Sequence, residues 1–258
     1  MLSHVTFTGW DRHTDLAELA NFLENCPQGR VEIAVLYSAT RSAANEDRYP
    51  NVGKAAEILR TAKAAGQRTA LHLCGSAARE LLASASDLPY THALLPFGLG
   101  HVLNLADRVQ INVDAGFWTK VGGVADYRQA YTTSRSLGRP VILQTRDLSA
   151  WPDVEHFAAG ASRMMPFLFD RSAGAGVEMT GWPDPPPGRL VGYAGGLGPD
   201  NAAELLSRLA AHPGSRVWID METRIRERPS NVEASYVSIT KCRRVMNSLI
   251  VYFEGYEP

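Results

Sequence analysis

Val191-Gly-Tyr-Ala-Gly-Gly-Leu-Gly-Pro-Asp-Asn201 reads as a short buried strand, a double glycine, and a helix opened by Pro199 and Asp200. Adjacent glycines let the backbone approach a ligand closely and adopt torsions closed to other residues. The N-terminus of the following helix presents unpaired N–H groups to the same space, a natural seat for phosphate. The stretch therefore predicts a strand-to-helix turn built around an anion.

Outward from this turn, strand and helix signals alternate along the whole chain. Strands are predicted over 4–9, 31–37, 69–74, 108–112, 140–145, 164–169, 189–194 and 216–220. Leu16, Leu19, Ala20 and Leu23 recur at helical spacing between Asp15 and Glu24, as do Ala56, Leu59 and Ala64 within 53–65. Ser76 is expected to cap a helix carrying Leu81 and Leu82. Further helices are expected over 126–137, 153–160, 200–211 and 231–249, with a loop and one short helix between Ser84 and Ala106. Eight strands joined by crossover segments imply a parallel sheet. The count, with 258 residues, favours a single-domain (β/α)8 TIM barrel over an open doubly wound sheet. In that frame the double glycine follows strand seven, where barrel phosphate sites commonly lie.

The totals agree with a globular enzyme-sized domain. Hydrophobic residues make up 45% and charged residues 21%, enough apolar surface for a full core. A formal net charge of −1 argues against nucleic acid or an anionic membrane surface as partner. No apolar run approaches the roughly 18 residues of a membrane helix. Three scattered cysteines and no signal-peptide pattern fit a cytoplasmic protein with reduced thiols. No cofactor is expected, and the sequence is compatible with a homo-oligomer.

Barrel chemistry sits at the C-terminal ends of the strands. The residues there include Thr8, His72, Cys74, Asn112, Asp114, Gln144, Asp170, Gly195, Gly196, Asp220 and Glu222. Thr6 and Thr8, His72 and Cys74, and Gln110 and Asn112 each share a strand face, which suggests a polar cavity at the barrel mouth. Asp170 is the strongest catalytic candidate, because it ends the apolar run Pro166-Phe-Leu-Phe169 and desolvation there suits a general acid. His72 and Cys74 alone do not make a metal site, and none is expected. Arg41 and Arg48 flank a polar loop and are candidates to clamp a carboxylate or phosphate. His72, Asn112 and Gln144 join them as substrate-binding candidates, against the plainer alternatives of backbone bonding and solvated charge.

The motif order resembles phosphoribosylanthranilate isomerase, the barrel enzyme that carries out an Amadori rearrangement. The resemblance is carried by Phe169-Asp170, by the glycine-rich loop Gly174-Ala-Gly176 through Thr180-Gly-Trp182, and by Ala194-Gly-Gly-Leu197 with Pro199 and Asn201. Val109-Gln-Ile-Asn112 is similar to the family's fourth strand. The resemblance implies a phosphosugar substrate, Asp170 as general acid, and Gly195 and Gly196 on the phosphate. Two positions depart from the pattern. Thr8-Gly9 stands where the family has its general-base cysteine and a glycine, and Met221-Glu-Thr-Arg224 stands where it has a serine-serine-glycine phosphate motif. Thr8 has no accessible anionic form to act as a base.

The sequence thus predicts a barrel that binds and isomerises a phosphorylated sugar derivative. Asp170 donates a proton. Asp11, Cys74 and Asp220 are the substitutes for the missing base, with Thr8 at the family's base position. Gly195 and Gly196, with Glu222 and Thr223 of the strand-eight loop, hold the phosphate. The alternatives are a phosphosugar lyase or hydrolase on the same scaffold, and a barrel that binds its phosphate ligand without catalysis.

Overall fold

Each of eight short strands pairs in parallel with the next in sequence, and the last returns to the first, so the sheet closes on itself. The strands are β1 (Leu2–Thr8), β2 (Val31–Tyr37), β3 (Arg68–Cys74), β4 (Arg108–Asn112), β5 (Val141–Thr145), β6 (Phe167–Phe169), β7 (Leu190–Tyr193) and β8 (Arg216–Met221). The fold is a single (β/α)8 barrel. The computed structural model describes residues 1–83, 98–112, 124–145, 166–170, 181–186, 188–212, 214–228 and 234–253. The helix expected over 153–160, Asp114 and the glycine-rich residues 174–180 lie outside them.

Helices form where capping and periodicity direct them. Helix α1 (Leu16–Glu24) begins after Asp15, whose carboxylate accepts from the N–H groups of Ala17 and Glu18. It buries Leu19, Phe22 and Leu23 against the barrel. After the short α2 (Ala39–Ala43), Asn51 caps α3 (Val52–Ala64) through the Lys54 N–H, and Ile58 and Leu59 face inward. The others are α4 (Ser76–Ala83), α5 (Leu99–Leu105), α6 (Val124–Leu137), α7 (Ala202–Leu209) and α8 (Ile239–Leu249).

Most boundaries shift by one or two residues, and three helix starts differ from the sequence expectation for a reason the structure shows. Ser76 is the first residue of α4 rather than the cap before it. Helix α7 starts two residues after Asp200, because Asn201 uses its side chain to brace the preceding loop. The last helix starts at Ile239, not near Asn231. Ser238 caps it, and the residues before it pair β10 (Tyr236–Val237) antiparallel with β9 (Arg226–Glu227).

The main core lies between sheet and helices, where Val5, Phe7, Ile33, Val35, Leu71, Val109, Ile111, Val141 and Ile219 point outward from the strands. The opposite parity fills the barrel. There the β5–β8 side is apolar, with Ile142, Leu168, Ala194 and Trp218 in contact. The β1–β4 side is polar and buried: His4, Thr6, Thr8, Glu32, His72, Arg108 and Gln110.

Arg108 ties this interior together. Its Nε and Nη2 donate to the two carboxylate oxygens of Glu32, both at 2.6 Å. Nη2 also donates to His4 Nε2 at 2.7 Å, a contact from β4 to β1 that crosses the lumen. Arginine cannot accept, so His4 Nε2 is the acceptor and the ring proton sits on Nδ1, directed to Ser3 Oγ at 3.0 Å. Burial, reinforced by Arg108, holds the His4 pKa well below the usual histidine value, in keeping with that neutral tautomer. The Arg108 guanidinium lies 4.5 Å from the Trp218 ring centre, and His4 stacks on the same indole. A Cβ on Gly192 would come within 2.3 Å of Trp218, so glycine at that position is what admits the indole to the barrel.

Candidate active site

At the C-terminal ends of the strands a polar pocket opens, lined among others by Thr8, His72, Asn112, Gln144, Asp170, Gly195, Gly196, Asp220, Glu222 and Thr223. Its inner space is small, about 50 Å³, room for little more than a water or two. A larger ligand would rest against the rim. The double glycine and Asp170 therefore share one cavity, as the barrel reading requires.

Asp220 is the unusual group. It is 7% exposed and carried on β8 with its side chain toward the lumen. Thr8 Oγ1 donates to its Oδ1 at 2.6 Å. Burial pushes its pKa up to about 8; the Thr8 hydrogen bond pulls the other way, and the Glu222 charge adds to the rise. A carboxyl titrating there is partly protonated at neutral pH and suited to proton transfer.

Asp170 follows β6 directly and is buried. Gln144, from neighbouring β5, donates to its Oδ2 at 2.6 Å and fixes one oxygen. Register explains the meeting: Gln144 pairs with Leu168, two residues and one pleat below Asp170.

His72 completes the polar floor. Burial, then the Arg108 charge, lowers its pKa to about 3, so the imidazole is neutral. Its Nε2 is buried with no hydrogen-bond partner among the described residues. Beside it Gln110 donates to Asn112 Oδ1 at 2.8 Å, and Asn112 donates to Cys74 Sγ at 3.7 Å.

The turn after β7 is shaped for close backbone approach. Gly195 and Gly196 have φ of 100° and 64°, in the left-handed region that favours glycine. Asn201 pins the loop from both sides: its Oδ1 accepts from Gly198 N at 2.9 Å and its Nδ2 donates to Gly196 O at 3.0 Å. The N–H groups of Gly195, Gly196 and Leu197 have no acceptor among the described residues. The strand-eight loop packs on this turn, for a Cβ on Gly198 would lie 2.6 Å from Arg224 Cβ.

The other candidates from the sequence fall elsewhere. Asp11 is buried outside the pocket, in an ion pair with Arg226, which also donates to Gly9 O and Ser235 O. That clamp ties the β1 loop to the hairpin, and an arginine-bound carboxylate is not poised as a base. Cys74 is off the pocket wall, and burial raises its thiol pKa to about 11. Arg41 is exposed on α2 beside Tyr49 and Glu46. Arg48 does reach the rim, where it pairs with Glu222 at 2.8 Å and lies 3.4 Å from Thr223 Oγ1. That contact joins residues 174 apart, and nothing in the sequence pairs them. Gln110, Leu168, Ala194 and Leu197 also line the pocket; Gln110 and Leu168 have interior parity on their strands, and Ala194 and Leu197 flank the double glycine.

Among the described residues no group of His, Cys, Asp and Glu could hold a metal ion, and no helix is long and apolar enough to cross a membrane. Cys26, Cys74 and Cys242 are free thiols.

No protein-family model matches the chain, and no curated protein matches it in sequence. Solved structures do. A truncated 3-deoxy-D-arabino-heptulosonate 7-phosphate synthase from Thermotoga maritima is similar over 96% of this chain and 85% of its own, with TM-score 0.53 and 11% identity. A second structure of that enzyme, from the same organism, matches over 95% and 67%, with TM-score 0.51 and 13% identity. The octameric ribulose-1,5-bisphosphate carboxylase/oxygenase of Pyrococcus horikoshii, in complex with sulfate, matches over 99% of this chain and 59% of its own, with TM-score 0.50 and 12% identity. At such identities the likeness is one of fold: this chain is built like these enzymes, as a closed (β/α)8 barrel.

Proposed function

We propose that this barrel binds a phosphorylated sugar derivative and moves a proton between adjacent carbons, an isomerase step of the kind phosphoribosylanthranilate isomerase performs. The observation that carries the reading is Asp220: a buried carboxyl titrating near 8, in one pocket with Asp170 and the glycine turn. Two acidic groups in unlike environments are what a paired acid and base require. Asp11 and Cys74, the other substitutes for the family's cysteine, are disfavoured by the Arg226 pair and the raised thiol pKa.

The resemblance gives the acid's role to Asp170. The surroundings of Asp220 favour the exchange. Asp220 keeps its proton at neutral pH and donates it to the opening ring oxygen. Asp170, steadied by Gln144, takes the proton from the adjacent carbon. The N–H groups of Gly195, Gly196 and Leu197 receive the phosphate, with Thr223 beside them. Glu222 would repel the phosphate, and its pairing with Arg48 offsets that charge. Two of the similar barrels are named for a heptulosonate 7-phosphate, a ligand of the same broad class.

The test is turnover of phosphoribosylanthranilate and related phosphorylated aldosylamines, with calorimetric binding of the same compounds. We expect turnover that falls above about pH 8 as Asp220 ionises, and losses of a hundredfold or more, roughly, in Asp170→Asn and Asp220→Asn. Binding without turnover would favour the non-catalytic alternative. Absence of binding by folded protein would remove the reading.

A further inference from the structure

Two buried side-chain atoms have no hydrogen-bond partner among the described residues, Trp218 Nε1 and His72 Nε2. Trp218 packs against His4 and Arg108 in the barrel interior. His72 belongs to the wall of the pocket at the mouth. It is 1% exposed and is carried on β3, two residues before Cys74. An unpaired buried nitrogen is costly, and a ligand is one source of the partner that the chain does not supply.

The surroundings of His72 decide what kind of group that partner is. The inner space, about 50 Å³, takes nothing bulkier than a water or two. No lysine or arginine is among the described residues that line it, so an anion there would find no side-chain counter-charge. His72 is itself a neutral imidazole, its pKa lowered to about 3 by burial and then by Arg108. In register beside it, Gln110 gives its Nε2–H to Asn112 Oδ1, and its Oε1 is still an acceptor. A hydroxyl both donates and accepts. It therefore pairs with His72 Nε2 whichever ring nitrogen carries the proton, and turns its other function to an amide. A carboxylate or phosphate oxygen can only accept.

The ring of strands sets this position apart from the glycine turn. β3 and β7 are four strands apart in a closed ring of eight, on opposite sides of the lumen. Gly195 and Gly196 follow β7, while Asp170, after β6, and Asp220, on β8, stand on either side of it. We propose that the mouth has two unlike poles, an anion seat after β7 and a hydroxyl subsite at β3, in which His72 Nε2 holds one uncharged hydroxyl of the substrate. The substrate is then a sugar monophosphate that turns a free hydroxyl inward, and any second anionic group it carries stays at the rim. That one ligand fills both poles rests on the phosphosugar reading of the turn; the hydroxyl subsite itself does not need the isomerase step.

The probes are ribose, ribose 5-phosphate and inorganic phosphate, titrated into the full chain and followed by calorimetry and by the nitrogen resonances of the histidine rings. We expect ribose 5-phosphate to bind roughly tenfold tighter than inorganic phosphate, and both sugars to shift the His72 Nε2 resonance. His72→Leu, shown folded by circular dichroism, should bring ribose 5-phosphate down to the level of inorganic phosphate, whose own affinity is unchanged. His72→Gln, which keeps a donor and an acceptor, should recover part of the difference, and it carries the test with the resonance shift should the leucine variant not fold. Ribose 5-phosphate that binds no tighter than phosphate, that leaves the His72 resonance in place, or that weakens together with phosphate in the variants would overturn the hydroxyl subsite and leave the phosphate seat standing. A His72 shift with ribose, in a chain that binds neither phosphate compound, would keep the subsite and overturn the two-pole substrate together with the phosphosugar reading. No response to any of the three probes removes both.

Discussion

Glu32 and Asp220 are both carboxylates on the inner face of one barrel, 1% and 7% exposed, yet they meet different company. Glu32, near the strand starts, receives both prongs of the Arg108 guanidinium and a hydroxyl from Thr6 at 2.9 Å. Asp220, near the mouth, receives a threonine hydroxyl and, among the described residues, no guanidinium, and its pKa climbs to about 8. Burial is common to both, so burial alone does not decide the outcome. The partner does. A matched cation makes a carboxylate part of the scaffold, while a neutral partner leaves it with a proton to give.

Breaking the matched pair should give the largest effect. Arg108→Leu leaves Glu32 buried without its cation, and loss of one partner of a buried pair costs about 3–5 kcal/mol. Replacing both, as Glu32→Leu with Arg108→Met, should recover most of the stability, because the uncompensated charge is gone. Urea unfolding of the three variants measures this. A double variant as unstable as Arg108→Leu would mean that packing against Trp218 and His4, not charge, holds the interior.

The next test removes the unmatched carboxyl. Between pH 3.8, its ordinary value, and about 8, its folded value, the folded chain keeps a proton on Asp220 that the unfolded chain has released. The contribution to stability is fully present below pH 3.8 and is lost as pH rises through about 8, with a slope of up to ~1.4 kcal/mol per pH unit. Asp220→Asn removes that slope. The variant should gain on the parent steadily from pH 5 to pH 8, while losing turnover. A stability gap independent of pH would show that Asp220 is no different from Glu32.

The same contrast explains what the sequence could tell. Alternating strand and helix patterns are local, so all eight strands and the helices that became α1 and α3 were legible, although the caps at Asp15 and Asn51 were not read. Parity was legible too, and it brought Thr8, His72, Asn112, Asp170 and Asp220 to one mouth. Partners were not. Asp11 and Asp220 look alike as acidic residues near strand ends, but one is claimed by Arg226, 215 positions away, and the other by Thr8. Arg108 passed as the start of a strand, although an arginine and a glutamate of interior parity on β4 and β2 were the signal for a lumen ion pair. Ser238 lost to the same locality, because a helix read back to Asn231 ignored a hairpin closed by distant Arg226.

The smallest effect separates the two carboxylates most finely, because it changes only the partner of Asp220. Thr8→Val keeps the shape of the side chain and deletes the hydroxyl that donates to Oδ1. That hydrogen bond favours the ionised form and so lowers the Asp220 pKa against the effect of burial. Without it the titration should move further up, and the alkaline fall in turnover should shift to higher pH. The stability cost should be modest, about 1 kcal/mol, since a protonated Asp220 loses a neutral hydrogen bond rather than a charge partner. A pH–rate profile of Thr8→Val beside the parent reads the shift directly. Movement of the alkaline limb to lower pH would mean that Thr8 accepts from a protonated Asp220 instead of donating to it. The two ends of the barrel would then differ by proton position as well as by charge.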